Sequence, residues 1–407
     1  VKAWIRTFGC RANQYDSEAV RAMIEASGGT VVGEASEADV AIFNSCAVTS
    51  EAEADLRASV RRTALPSIVM GCAAARDDGT IAALPGVRAV VAAADLEALA
   101  HSLDLSPLTS RLSPAVQSSS RALLRVQDGC DEHCTFCATT QARGANRSRT
   151  PDALVAESAA LAATHPEIVI TGIHIGTYGT DLGTTLGALM ERLIGEVPEL
   201  RFRLTSIEAT EIDATLHRLF AASPRRLAPH VHAPLQSGSD RVLKRMGRHW
   251  YTAQTYRAAV ERLAASVGPV FALSGDVITG FPGETEADHA ATVAMVRALP
   301  FTALHVFPYS ERPGTAAVKF TAPVRGDVAR ARAAELRAVA AEKASAYAAT
   351  RVGGPADVVV IGDGPKRHGL TEDYLSVQLA DPTIPRRTRF DATLALSGQS
   401  LEALRSP

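Results

Sequence analysis

The sequence predicts an α/β protein in three parts: a parallel sheet with covered faces, a curved partial (β/α)6 barrel, and a small all-β barrel. Three observations carry that reading. Strand and helix patterns alternate over the first hundred residues, they alternate again from Leu123 to Pro308, and short alternating strands close the chain. At 407 residues the chain exceeds one ordinary core, so two or three domains are expected.

In the first part, residues 2–8 alternate as a strand, 16–26 read as a helix and 38–44 as a buried strand. Residues 51–62 are then helical, 67–70 form a strand, and 87–91 with 95–103 complete the series. The Ser/Pro-rich stretch 102–120 reads as a linker. In the second part the expected strands are 123–126, 167–171, 201–204, 230–232, 273–278 and 304–308, with helices such as 152–164 and 284–298 between them. An Ala/Arg/Glu-rich helix over 327–349 stops at Gly353-Gly354-Pro355, and strands at 357–361, 374–379 and 390–396 predict the small barrel. The expected domains are 1–105, 116–350 and 351–407.

The composition, 46% hydrophobic and 21% charged with net charge −2, is that of a soluble globular chain. No apolar run reaches the length of about 18 residues that a membrane span needs. Residues 1–10 hold no apolar leader core, which predicts a cytoplasmic protein. Charge leaves the partner open. Residues 1–100 carry 9 Lys+Arg against 13 Asp+Glu, yet 241–248 hold four basic residues and no acid, followed by Trp250 and Tyr251. Cations beside rings suit phosphates and stacked bases, although a solvated helix face accounts for the run equally well.

Six cysteines stand at 10, 46, 72, 130, 134 and 137. Without an export signal, disulfides are disfavoured and metal binding or reactivity is expected. Cys130, Cys134 and Cys137 form C-x3-C-x2-C just after the first strand of the second part. Three thiolates on one loop can hold a corner of a [4Fe–4S] cube and leave one iron open. S-adenosylmethionine can chelate that iron, and a reduced cluster can then cleave it to a 5′-deoxyadenosyl radical. The alternative is a zinc site or three buried thiols. Zinc ordinarily takes a fourth ligand, and His133, wedged beside Cys134, is poorly placed to supply it.

Cys10, Cys46 and Cys72 share no local motif, but each lies two residues past the end of a predicted strand. Strand carboxyl ends of a parallel sheet share one edge, so the three thiols can meet and hold a second cluster with an open iron. Three independent core cysteines are the alternative. Other glycine-bearing strand ends, Thr171-Gly172-Ile173-His174, Pro234 to Ser239, and Gly275 to Glu284, should fall on the face that carries the cysteine loop. Ordinary turn chemistry accounts for each taken alone.

These residues resemble the radical methylthiotransferase family over essentially the whole chain. The matching stretches are Gly9-Cys10-Arg11-Ala12-Asn13-Gln14-Tyr15-Asp16-Ser17-Glu18, Asn44-Ser45-Cys46-Ala47-Val48-Thr49, Gly71-Cys72 and the three-cysteine loop. They continue through Arg143-Gly144, Ser148-Arg149, Pro234 to Arg248, Gly280 to Glu284, and His305-Val306-Phe307-Pro308-Tyr309-Ser310. The chain departs from the family pattern at Ala138-Thr139-Thr140-Gln141, where relatives usually carry an apolar pair and a proline. The resemblance implies a flavodoxin-like N-terminal domain, a partial radical barrel and a C-terminal TRAM domain. It also implies an auxiliary [4Fe–4S] cluster on Cys10, Cys46 and Cys72, and a radical cluster on Cys130, Cys134 and Cys137 as the catalytic centre. Phe136, Thr171, Gly172, Ile173, Ser206, Glu208 and Gln236 would line the S-adenosylmethionine pocket.

The pattern is most similar to the branch acting on N6-threonylcarbamoyladenosine at position 37 of transfer RNA, through Asn13-Gln14-Tyr15-Asp16 and His305 to Ser310. The implied reaction uses two molecules of S-adenosylmethionine, one as methyl donor to a cluster-held sulfur and one as radical source for attack at C2 of the adenine. An electron donor such as flavodoxin or ferredoxin, and a sulfur donor, are implied partners. Rival readings are the isopentenyladenosine enzyme, the enzyme acting on an aspartate of a ribosomal protein, and a non-catalytic RNA-binding iron–sulfur protein. The C-terminal part, with 7 Lys+Arg and 7 Asp+Glu from residue 351, lacks the acidic balance that a basic ribosomal substrate would favour, and its charge alone does not require RNA binding.

Overall fold

The structure is a computed structural model that describes residues 1–92, 95–105, 116–398 and 400–405. Strands β1 (Lys2–Thr7), β2 (Thr30–Val32), β3 (Val40–Ser45), β4 (Ser67–Gly71) and β5 (Val87–Ala92) form a parallel sheet in the order β2-β1-β3-β4-β5. Helices α1 (Arg11–Ala26), α2 (Ser50–Arg62) and α3 (Leu96–Ser102) cover it. Every residue of β3 is buried, since Ile42 joins an apolar cluster with Val20 and Leu99 while Phe43 joins another with Leu56 and Val60. This is the flavodoxin-like order, whose switch point lies between β1 and β3. β2 escapes the sequence pattern because Gly28-Gly29 and Gly33 around it read as turn.

The second sheet runs through β6 (Ala122–Arg125), the short strands β7 (Gln127–Asp128) and β8 (Arg147–Ser148), then β9 (Glu167–Thr171) and β10 (Arg201–Leu204). It continues with β11 (His230–His232), β12 (Ala272–Thr279) and β13 (Phe301–Pro308). β6, β9 and β10 pair in parallel, as do β11, β12 and β13, and the Ser206–His232 bridge joins the two triplets into a six-stranded arc. Helices α4 (Thr139–Arg143), α5 (Pro151–Ala162), α6 (Leu186–Glu196), α7 (Ala214–Ala222), α8 (Asp240–Arg245), α9 (Ala253–Val267), α10 (Glu286–Ala298) and α11 (Gly326–Thr350) alternate with these strands. α10 starts at Glu286 rather than at 284, because Thr285 and Asp288 form a capping box. α1 starts earlier than its sequence pattern, at Arg11, with extended Cys10 as its N-cap.

The sheet of the first part packs on the β6 edge of the arc. Tyr15 of α1 clusters with Leu123 and Val169, and Arg125 pairs with Asp16. Residues 106–115 of the expected linker lie outside the described residues; beyond them, Gln117 clamps both the N–H and the C=O of Leu123 at 2.7 Å.

Strands β14 (Pro355–Ile361), β15 (His368–Leu370), β16 (Ser376–Leu379), β17 (Arg389–Ser397) and β18 (Ser400–Arg405) close a barrel in the order β14-β15-β16-β18-β17. The strand expected from 374 starts at Ser376, because Tyr374 adopts a left-handed φ of 70° in the turn before it. This barrel closes the N-terminal end of the arc. Glu167, which opens β9 and is fully buried, pairs with Arg201 and Arg203 at 2.5 and 2.9 Å. The same arginines donate to Asp357 O and Thr371 O at 2.6 and 3.0 Å, and Tyr374 stacks on His230 at 4.4 Å. No helix among the described residues is long and apolar enough to cross a membrane.

Candidate functional site

The ribbon formed by β7 and β8 pinches the segment between them into a closed loop, and that loop carries all three cysteines of the C-x3-C-x2-C motif. The Cys130 amide donates to Gly144 O, and that of Cys137 to Cys134 O, each at 3.0 Å. Each thiol has a distinct neighbour. Cys130 Sγ lies 3.6 Å from His174 Nδ1, Cys134 Sγ 3.6 Å from Arg248 Nη1, and Cys137 Sγ 3.1 Å from Thr139 Oγ1. Burial pushes the Cys134 thiol up to about 12 against the pull of Arg248. Burial works against the charge of His174 as well, but its bonds to Cys130 and Glu211 lift it to about 10. His133 is exposed.

Cys10, Cys46 and Cys72 do come together at the carboxyl edge of β1, β3 and β4. Because β3 and β4 each extend one residue beyond expectation, Cys46 and Cys72 follow their strands directly, whereas Cys10 lies three residues past β1. Asn13 stands between them, its Oδ1 3.6 Å from Cys72 Sγ and 3.9 Å from Cys10 Sγ. Its amide donates to Phe8 O and Ser45 O at 2.9 and 2.8 Å, which locks the ends of β1 and β3 to α1. Gly9, at φ 93°, is required there, since a Cβ would lie 2.5 Å from Cys46 Sγ. Burial raises the Cys46 thiol to about 11, so a metal must displace protons to bind.

The donor sets fit two clusters better than single ions. A tetrahedral zinc with bonds of about 2.3 Å holds its sulfurs about 3.8 Å apart. Among the described residues, only His232, Asp276 and His305 offer three donor atoms all within 4.8 Å of one another; neither cysteine triad is drawn that tight. Each triad also faces cations suited to a cluster of thiolates. Arg143 Nε lies 3.2 Å from Cys72 Sγ, and Arg248 serves Cys134. A cavity of about 110 Å³ lies between the two sites, lined by the full triad Cys10, Cys46 and Cys72 and by Cys137 of the loop, together with Phe136 and Ile173.

The expected cosubstrate residues follow three successive strands. Thr171 ends β9 and is buried, and Gly172 precedes the amides of Ile173 and His174, which donate to Gln127 Oε1 at 3.0 and 2.9 Å. Ser206 follows β10 and bridges to His232. Glu208 pairs with Arg248, and Gln236 holds a left-handed φ of 61°. Among the described residues, Glu208 Oε2 and Gln236 Oε1 are buried without a hydrogen-bond partner. Phe136 reaches the cavity between the two sites and sets its ring at right angles to Phe281, 6.3 Å away.

The basic run 241–248 is partly engaged within the fold, with Lys244 exposed. Arg241 pairs with Asp288, Arg245 donates to Pro282 O, and Arg248 is buried against Glu208, Trp250 and Tyr251. The sequence gives no sign that His232, Asp276 and His305 meet, yet they gather on β11, β12 and β13. It shows only polar residues two apart in otherwise apolar strands: His230 and His232, Ser274 and Asp276.

Comparison with known proteins agrees with this geometry. Residues 2–92 match the family described as "Uncharacterized protein family UPF0004", and residues 124–296 match the radical SAM superfamily. The chain is 34% identical over 360 residues to a threonylcarbamoyladenosine tRNA methylthiotransferase of Thermotoga maritima, covering 84% of this chain and 81% of that protein. It is 36% identical over 415 residues to a tRNA-2-methylthio-N(6)-dimethylallyladenosine synthase of Sorangium cellulosum, covering 90% and 83%. The fold is similar to that of the radical S-adenosylmethionine methyltransferase TsrM from Kitasatospora setae, with TM-score 0.56 and 15% identity over 78% of this chain and 73% of that one. Enzymes with this pair of domains carry two [4Fe–4S] clusters and use S-adenosylmethionine. This chain belongs to that family, the radical S-adenosylmethionine methylthiotransferases.

Proposed function

We propose that this protein inserts a methylthio group at C2 of N6-threonylcarbamoyladenosine at position 37 of transfer RNA. The observation that carries the reading is the cavity lined by Cys10, Cys46 and Cys72 and also by Cys137 of the radical loop, since a radical source and a sulfur source must reach the same substrate carbon. Cys130, Cys134 and Cys137 would hold the radical cluster, and Cys10, Cys46 and Cys72 the auxiliary one. When bound, the first supplies an electron to S-adenosylmethionine and the second presents the sulfur to be transferred. The protein's own part is to position and to exclude water. Arg143 and Arg248 offset thiolate charge, the free oxygens of Glu208 and Gln236 receive polar groups of the cosubstrate, and Phe136 walls the cavity.

The three units would be 1–105 for the auxiliary cluster, 116–350 for the radical core and 351–407 as a TRAM-like barrel. Transfer RNA, a flavodoxin- or ferredoxin-like reductant and a sulfur donor are the partners of this reading, in the cytoplasm. Relatives named for threonylcarbamoyladenosine and for dimethylallyladenosine match at similar identity, so the latter nucleoside is the second reading. Mass spectrometry of transfer-RNA nucleosides from a deletion strain tests both. Loss of 2-methylthio-threonylcarbamoyladenosine with accumulation of its precursor is expected; loss of the dimethylallyl derivative instead would select the second reading.

A further inference from the structure

A ladder of polar side chains climbs the inside of the arc along β11, β12 and β13. Val306 belongs to the apolar core shared with Leu336 and Val339 of α11. By strand alternation His305 and Phe307 therefore face the concave side, where Asp276 is the register partner of His305. From the plugged floor upward, His230 Nε2 meets Ser274 Oγ, Ser274 Oγ meets His232 Nδ1, and His232 Nε2 meets Asp276 Oδ2, each at 3.0 Å. Asp276 Oδ1 then accepts from His305 Nδ1 at 3.2 Å.

His305 ends this ladder. Its side chain is 61% exposed, and among the described residues no hydrogen bond is recorded for its Nε2. The Asp276 carboxylate orients the ring so that Nε2 faces the open interior. Phe307, also exposed, sets its ring 6.4 Å away at an interplanar angle of 67°. Beyond it, the chain leads to the cavity between the two cysteine sites. Ser310 Oγ bonds Ser50 Oγ at 2.9 Å, and Arg312 reaches Ala47 O at 3.3 Å and lines the cavity beside the thiols.

We propose that His305, oriented by Asp276 and flanked by Phe307, reads the N6 substituent of the target adenosine by binding its carboxylate. The inference rests on the threonylcarbamoyladenosine reading above. That substituent ends in the carboxylate of threonine, whereas a dimethylallyl group is wholly apolar. Kept charged beside the Asp276 carboxylate, the imidazolium donates Nδ1–H to Asp276 and offers Nε2–H to an anion, and packing an apolar group there would strip its water with nothing in return. The three side chains are close enough to grip a cation, but Asp276 bonds each histidine pairwise and His232 uses its other nitrogen on Ser274, so protons already satisfy the cluster.

The test uses the holoenzyme with both clusters and anticodon stem-loop RNAs carrying threonylcarbamoyladenosine, its methyl ester, or dimethylallyladenosine. The wild-type enzyme should prefer the acid to the ester by roughly 10- to 100-fold, mainly in KM, as for one lost charge-assisted hydrogen bond. His305→Phe should bring that ratio close to one, with iron content and cluster absorption monitored in parallel. Equal use of acid and ester by the wild-type enzyme, or an unchanged ratio in His305→Phe, overturns the proposal and leaves the substrate reading intact. An acid preference that appears only on adding Mn²⁺ assigns the three side chains to a cation and also overturns it. Activity on dimethylallyladenosine alone overturns the substrate reading and the proposal together.

Discussion

Arg143 Nε sits 3.2 Å from Cys72 Sγ while its Nη2 donates to Asp16 at 2.6 Å and to Asn13 Oδ1 at 2.8 Å. One buried guanidinium from the cysteine loop of the arc thus braces the thiol triad of the first sheet. Replacing Arg143 with Met should lower methylthio transfer about 10- to 100-fold, as for a group that supports a metal ligand. Arg143→Lys should recover part of the loss. Deoxyadenosine and modified RNA measured in one anaerobic assay check this, with deoxyadenosine expected to fall less than transfer.

The two triads should be separable. Anaerobic reconstitution should give about eight irons per chain, as two cubes require. Alanine at Cys130, Cys134 and Cys137 should abolish cleavage of S-adenosylmethionine. Alanine at Cys10, Cys46 and Cys72 should leave about half the iron and still permit deoxyadenosine formation, with no methylthio transfer. Stoichiometric zinc without iron absorption, or full transfer by the N-terminal triple variant, would contradict this.

Gln236 combines a left-handed backbone with a buried side-chain acceptor. Its left-handed φ carries a cost on the order of 1 kcal/mol for a residue with a Cβ, and among the described residues its Oε1 is buried without a partner. Gln236→Gly should therefore unfold no earlier than the wild type, yet bind S-adenosylmethionine roughly 2- to 12-fold more weakly, the value of one hydrogen bond. Thermal unfolding and equilibrium dialysis give the two numbers.

Glu167 anchors the floor of the arc. Despite burial, which favours the neutral form, Arg203, Arg201 and Arg121 hold its carboxyl well below the usual carboxylate range. The unfolded chain takes up the proton near pH 4.3. The stabilisation is therefore complete above that value and is lost as pH falls toward the lower folded-state one. Glu167→Gln should cost about 3–5 kcal/mol at neutral pH by leaving buried arginines without their anion. Its deficit should shrink as the pH is lowered below 4, as denaturant unfolding across pH would show.

Much of this was legible in the chain. The spacing of Cys130, Cys134 and Cys137 confines three thiols to one loop whatever surrounds it. Hydrophobic alternation located β1, β3 and β4, and a parallel sheet places successive carboxyl ends on one edge, so Cys10, Cys46 and Cys72 could be foreseen as neighbours. β2, set between Gly28-Gly29 and Gly33, and β15, which contains Gly369, merge with the turn signals around them.

Other features depended on packing between segments distant in sequence. The basic run 241–248 reads as a surface, but Asp288 and Glu208, far away in the chain, draw Arg241 and Arg248 into ion pairs. Likewise Arg143 says nothing of Cys72, nor Arg201 of Asp357, until two folded units press together. Local patterns are set by the backbone period and are written in neighbouring residues. Which charge neutralises which buried partner is set by tertiary contact, and there desolvation leaves each ion only the counter-charge the fold brings to it.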